Sequence, residues 1–362
     1  MERYRVVMRK IPTLLVLSAI FVLPVQGDDL ENSTQIEITR SWTQEPGGWS
    51  WPIDISVPDT MPEGGFPVCV LLHGADTAGG ALLGGFRDVL SDHVLVAPTG
   101  YELTWNICRE TSKAPDVEMV RELIETIQGF DNVNPDAIRI LGYSNGAALA
   151  HRVYIENDNS GIDAVVTTVS QLSDIQYHAG GYHMPGVEPD ETADFCGYDT
   201  PVTPLTTRRY LNICNVNDPV IPYQGGISPV SEIAYLEARL SAFMVARARG
   251  YQGKPDLGDG VEIDSGNVFK YEYLDGEVVH LRGFEGHGLN QTMETFIGDF
   301  LSTWGGADDP CPGDFNGDGV VDGGDLGLMV AGWGTSEYDL TGDGLTDGAD
   351  LGMMFSAWGE CP

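Results

Sequence analysis

The sequence predicts an α/β protein with a largely parallel sheet covered by helices on both faces, followed by a compositionally distinct C-terminal module. Three observations carry this prediction. Between residues 35 and 287, apolar strand-like runs alternate with amphipathic helical ones, as successive strand–helix units require. The runs at 66–72 and 93–97 are near-continuously apolar, which suits strands buried on both faces. The pentapeptide Gly142-Tyr143-Ser144-Asn145-Gly146 stands between the apolar run 137–141 and the helical stretch 147–153. That is strand, sharp turn and helix, with a serine at the apex.

The first 27 of the 362 residues read as an export signal. Arg3, Arg5, Arg9 and Lys10 form a basic start, 11–23 is apolar, and Val25-Gln26-Gly27 offers a cleavage site, so the expected mature chain begins near Asp28 and is secreted. No later stretch is long and apolar enough to span a bilayer. A net charge of −35 excludes nucleic acid or an anionic membrane surface as natural partners. Six cysteines in an exported chain suggest disulfides. Cys69 and Cys214 sit in strand-like runs as candidate buried thiols, Cys108 and Cys196 in loops as a candidate pair, and Cys311 and Cys361 bracket the acidic tail. Spacing alone does not fix the pairing.

The elements follow in order. Residues 36–42 and 53–57 suggest an opening antiparallel pair, and 66–72 and 93–97 are buried strands. Helical periodicity covers 116–127, with Asp116 as the expected N-cap. The strand at 137–141 and the helix after Gly146 come next, then strands at 163–169 and 210–214 and a helix over 231–248. A last strand pair is expected at 269–273 and 277–281, and a closing helix at 289–304. The stretch 173–207, rich in Gly, Pro, Asp and Tyr, fits no regular element and reads as a cap or binding loop.

The chemistry starts from Ser144. Glycines two residues either side are needed where strand and helix backbones approach too closely for a Cβ, and the turn lifts the serine hydroxyl above the sheet. A serine nucleophile needs a general base, an orienting acid and an oxyanion hole. Asp218 lies in the turn just past the strand at 210–214, where the acid belongs. Among seven histidines, His287 is flanked by Gly286 and Gly288, follows the last strand and precedes the final helix, which makes it the candidate base ahead of His183. Backbone N–H groups of Asn145 and of Ala75, in Leu72-His73-Gly74-Ala75, are the candidate oxyanion donors. His73 is expected to shape that loop. Histidine and cysteine spacings match no zinc pattern, and no phosphate-binding glycine loop appears.

Leu72-His73-Gly74, Thr104-Trp105-Asn106, Asp116-Val117, Gly142-Tyr143-Ser144-Asn145-Gly146-Ala147-Ala148 and Asn217-Asp218-Pro219-Val220-Ile221-Pro222-Tyr223 stand in a consistent order. Together they resemble the polyhydroxybutyrate depolymerase, feruloyl esterase and acetylxylan esterase group of α/β-hydrolases. The resemblance covers residues 66–304 and implies an α/β-hydrolase fold and a secreted serine esterase. Its triad would be Ser144, Asp218 and His287, with Trp105 against the substrate. Two departures stand out: Cys214-Asn215 precedes the acid where the family often has His-Gly, and Ala75 replaces a frequent cysteine or glycine.

Residues 305–310 read as a linker. Beyond them a repeat of period 25 begins at Asp314 and again at Asp339, each copy running into a short apolar helix that ends in Trp-Gly. A hard divalent cation takes oxygens from positions 1, 3, 5, 7, 9 and 12 of such a loop, with glycine at 6. The first copy offers Asp314, Asn316, Asp318, the Val320 carbonyl, Asp322 and Asp325; the second offers Asp339, Thr341, Asp343, the Leu345 carbonyl, Asp347 and Asp350. Two calcium ions are therefore expected. Residues 311–362 carry ten carboxylates and no basic residue, so the metal should drive the module's folding. Aspartate at position 12, one helix per loop and the paired Trp-Gly endings resemble a type I dockerin, which implies a cohesin-like partner. Gly323-Gly324 and Gly348-Ala349 replace the hydroxyl pairs that cellulosomal dockerins often carry.

The expected function is a secreted serine carboxylic ester hydrolase acting on feruloyl or acetyl esters of plant-type polysaccharide. The alternatives are an extracellular polyester depolymerase, a peptidase on the same fold, and a non-catalytic calcium-dependent attachment protein.

Overall fold

The computed structural model describes residues 28–62, 64–255, 258–302, 313–316, 319–335, 338, 340 and 345–361. The expected signal segment and linker lie outside the described residues. A nine-stranded sheet forms the centre: Ile53–Ser56 (β1), Phe66–Leu72 (β2), Val94–Pro98 (β3), Val133–Tyr143 (β4), Ile162–Thr168 (β5), Arg209–Asn215 (β6), Val261–Asp264 (β7), Val268–Tyr273 (β8) and Val278–Gly283 (β9). Their order across the sheet is β7-β8-β9-β6-β5-β4-β2-β3-β1. The six strands from β9 to β3 run parallel; β1 and the β7–β8 ribbon close the two edges with antiparallel pairings.

Helices Gly79–Phe86 (α1), Asp116–Ile127 (α2), Asn145–Glu156 (α3), Ala238–Ala248 (α4) and Gln291–Ser302 (α5) cover the sheet. Alternation along each strand assigns the faces. Val68, Val70 and Leu72 pack with α2, α3 and α4 residues in one apolar layer, while Cys69 and Leu71 join Leu83 and Phe86 of α1 and Ile297 and Leu301 of α5 in the other. Each fully buried Leu or Ile in these layers contributes about 1.5–3 kcal/mol. Among the described residues, no helix is long and apolar enough to cross a membrane.

Four expectations are corrected. The opening run does not pair with 53–57: Thr39–Arg40 pairs with Trp49–Ser50, and β1 pairs with β3 instead. The free edge of β3 offers β1 four residues of ladder. Asp116 is not the N-cap; Pro115 holds that position, and the Asp116 carboxylate turns inward to accept the Trp51 indole N–H and the Asn106 N–H. The helix expected at 231–248 starts only at Ala238, because Ala234–Tyr235 pairs with Gly226–Ile227 and the Glu237 carboxylate caps the helix at Arg239 and Leu240 N–H. Finally, the stretch 173–207 contains a three-stranded antiparallel sheet of Tyr177–His178, Gly181–Met184 and Thr200–Val202. Its first hairpin turns through left-handed Ala179 and Gly180, an adjacent pair suited to a two-residue hairpin.

The Cys108–Cys196 disulfide is present, and Cys69 and Cys214 are buried free thiols. Cys361 is disulfide-bonded, while Cys311 lies outside the described residues.

Candidate active site

Ser144 sits at the junction of β4 and α3 with φ +55° and ψ −116°, a left-handed backbone that a non-glycine residue holds only under constraint. The constraint is steric. A Cβ on Gly142 would lie 2.3 Å from the Gly146 carbonyl oxygen, and one on Gly146 would lie 2.0 Å from the Leu72 carbonyl oxygen. Both glycines are therefore required for α3 to spring from the sheet at this point.

His287 lies on the loop between β9 and α5, and Asp218 on the turn after β6. The structure brings them to the serine. His287 Nε2 is 2.7 Å from Ser144 Oγ, and His287 Nδ1 is 2.7 Å from Asp218 Oδ2. A carboxylate only accepts, so Nδ1 carries the proton and Nε2 turns its lone pair to the serine hydroxyl. The second Asp218 oxygen accepts the N–H groups of Val220 and Ile221 at 2.7 and 3.0 Å. With its side chain only 2% exposed, the carboxylate is fixed on all sides.

The loop carrying His287 is tied down from three directions. The Tyr143 hydroxyl donates to the His287 carbonyl at 2.6 Å, Asn215 Nδ2 to the Gly288 carbonyl at 2.8 Å, and Asn217 Nδ2 to the Phe284 carbonyl at 2.7 Å. Burial raises the Tyr143 phenol above its ordinary value, with the Asp218 charge adding to it, so it remains a donor.

Ala75 and Asn145 both line the cleft beside Ser144, which has a volume of about 330 Å3. Among the described residues, neither backbone N–H is taken by another backbone carbonyl. His73 shapes the Ala75 turn: its Nε2 accepts the Gly100 N–H at 2.9 Å, its Nδ1 contacts the Gly74 carbonyl at 2.7 Å, and burial lowers its pKa. The Asn145 side chain ties α3 to the 104–110 segment, accepting from Thr104 Oγ1 and the Trp105 N–H and donating to Glu110 Oε1.

Trp105 is corrected. It is fully buried, its indole donates to the His73 carbonyl at 2.7 Å, and it presents no ring surface to the cleft. The 173–207 segment does not line the cleft either; residues 230–232 and Tyr235 do. That segment instead braces the 104–110 wall from behind, through the disulfide and a Tyr198 hydroxyl bond to the Ile107 carbonyl. His183 stands in that segment, its ring stacked on His178 at 3.8 Å, and takes no part in the cleft. Sequence reasoning missed Tyr143, Asn217, Glu110, Arg109 and Glu232, whose roles depend on partners far along the chain.

In the C-terminal part, Gly323–Ala331 (α6) and Gly348–Ser356 (α7) follow the two repeat loops. Both begin with the same reciprocal cap, Asp322 with Asp325 and Asp347 with Asp350, on nearly identical backbones. Asp325 and Asp350 are buried. Asp314 accepts the Gly319 N–H at 2.8 Å, and the Asn316 N–H donates to Asp325. Asp318, Asp339, Thr341 and Asp343 lie outside the described residues, and among those described no three His, Cys, Asp or Glu side chains gather as a ligand set.

No protein-family model matches the chain, and no curated protein does. Among solved structures, a carboxylesterase from Bacillus cereus is similar at 12% identity and a TM-score of 0.44, over 70% of this chain and 93% of its own. An acetyl xylan esterase from Aspergillus awamori is similar at 12% identity and a TM-score of 0.43, over 68% and 93%. A poly(3-hydroxybutyrate) depolymerase from Bordetella parapertussis is similar at 16% identity and a TM-score of 0.37, over 55% and 72%. These likenesses are distant, and the site's own geometry carries the functional reading.

Proposed function

We propose that this chain is a serine carboxylic ester hydrolase of the α/β-hydrolase kind. The observation that carries the reading is His287 bridging Ser144 and Asp218 with a 2.7 Å contact on each side, at the edge of a cleft. As Ser144 Oγ attacks the ester carbonyl, His287 Nε2 takes its proton and Asp218 stabilises the imidazolium. The oxyanion collects hydrogen bonds from the Ala75 and Asn145 N–H groups. His287 then protonates the leaving alcohol, and water clears the acyl-enzyme by the same route reversed.

The substrates we favour are acetyl or feruloyl esters on plant-type polysaccharide, with a polyester as the second reading. Export through the 1–27 segment and attachment through residues 311–362 complete the proposal. In the tail, the donor sets are oxygen-only and lack any basic neighbour, which fits calcium rather than zinc or a redox metal. The matched caps of α6 and α7 suit two equivalent loops. When bound, calcium would neutralise the clustered carboxylates. Val330 and Trp333 are exposed, as are Phe355 and Trp358 at the equivalent positions 25 residues on, which suits docking to a cohesin-like partner.

Hydrolysis of p-nitrophenyl acetate and methyl ferulate by wild type and by Ser144→Ala tests the proposal. Turnover by wild type alone supports it, and the ratio of the two rates chooses the acyl group. Failure of wild type on both esters would shift the reading to a non-catalytic attachment protein.

A further inference from the structure

One ion pair joins two residues that line the cleft holding Ser144. Arg109 Nη1 lies 2.6 Å from Glu232 Oε2. They come from walls built 123 residues apart in the chain.

Each wall is pinned from behind. On the Arg109 side, Glu110 Oε2 accepts the N–H groups of Ile107 and Cys108, and the Cys108–Cys196 disulfide anchors the segment. On the other side, Glu232 has a left-handed backbone, φ +57°, and its N–H donates to the Ser228 carbonyl at 3.1 Å. The Ser228 hydroxyl in turn donates to the carbonyl of Val220, two residues beyond Asp218. A non-glycine residue held at positive φ needs such surroundings to fix it, and here the result is a carboxylate facing the only arginine that lines this cleft among the described residues.

The side chains are 48% and 70% exposed, so the pair is solvated and opens at small cost. A volume of about 330 Å3 lies at the low end for a ligand cleft. An acetyl group enters such a space without disturbing the pair. A long acyl chain that reaches this pair would have to part it, or press methylenes against two charged groups and strip their water.

We infer that the Arg109–Glu232 pair is a strap across the cleft that selects short acyl esters over long ones. The inference rests on the ester-hydrolase reading above and narrows its substrate class towards acetyl groups.

The test is kcat/KM for p-nitrophenyl octanoate relative to p-nitrophenyl acetate. It is measured for wild type, Arg109→Gln, Glu232→Gln and the charge-swapped double variant Arg109→Glu/Glu232→Arg. Glutamine keeps bulk close to that of the native side chains while removing charge. The octanoate-to-acetate ratio is expected to rise about 2- to 5-fold in each single variant, the range an exposed ion pair corresponds to, and to return towards wild type in the swap. Salt near 1 M should raise the wild-type ratio and leave the single variants unmoved. An unmoved ratio in the single variants, or a swap that behaves like them, overturns the strap while leaving the hydrolase reading intact. Wild type that cleaves neither ester overturns both.

Discussion

The Tyr143 hydroxyl donates to the carbonyl oxygen of His287 at 2.6 Å, so the residue before Ser144 holds the loop that carries His287. Their rings meet edge to face, with centroids 5.9 Å apart. This relationship links the strand–helix turn to a loop 144 residues later, and it fixes where Nε2 meets the serine.

Removing that hydroxyl should loosen the His287 loop without unfolding the chain. Tyr143→Phe is expected to lower kcat about 2- to 10-fold, the worth of one neutral hydrogen bond, with KM little changed. Steady-state kinetics on p-nitrophenyl acetate checks this. A change confined to KM would assign Tyr143 to substrate contact instead.

Gly146 is held by packing. Its missing Cβ would sit 2.0 Å from the Leu72 carbonyl oxygen, a backbone atom that cannot swing aside. Gly146→Ala is expected to cost about 3 kcal/mol, at the upper end for overpacking, and to abolish turnover by displacing α3. Denaturant midpoints measure the first effect. A variant of wild-type stability would mean that the turn tolerates rearrangement.

Asp116 gives a pH signature. Burial is the main cause that pushes its carboxyl up to about 7, against an ordinary value of 3.8, while the Asn106 N–H and Arg152 pull the other way. Because the folded pKa lies above the unfolded one, Asp116 contributes its stability below about pH 4. That contribution is lost as pH rises towards and through 7. Wild type should therefore lose stability relative to Asp116→Asn between pH 5 and 8, as read from urea midpoints. A constant difference across that range would place the Asp116 pKa near its ordinary value.

For the C-terminal repeats, the expectation is that calcium folds them. Adding EDTA should remove one calorimetric transition and change the near-UV signal of Trp333 and Trp358, while ester hydrolysis persists. Identical traces with and without EDTA would contradict the calcium reading.

Much of the fold was legible because its signals are local. Near-continuous apolar runs marked β2 and β3, glycine spacing marked the turn at Ser144, and the glycines flanking His287 marked a loop after the last strand. The errors lie where distant partners decide. β1 pairs with the edge of β3 rather than with its neighbour in sequence, and Asp116 turns inward to Trp51 and Asn106 instead of capping its helix. Residues 231–237 carry a helical pattern, yet the pairing of Ala234–Tyr235 with Gly226–Ile227 overrides it. The family resemblance implies a substrate contact for Trp105, but its indole N–H is taken by the His73 carbonyl inside the wall. The Tyr143 and Arg109 contacts had no local signature at all.

The most direct test of the central claim is covalent. Wild type treated with a fluorophosphonate and digested should carry the mass adduct on the peptide containing Ser144. Labelling should be lost in Ser144→Ala and in heat-denatured wild type, because on the proposed mechanism the folded contact with His287 is what activates that hydroxyl. An adduct on another serine, or none on the folded chain, would contradict the account.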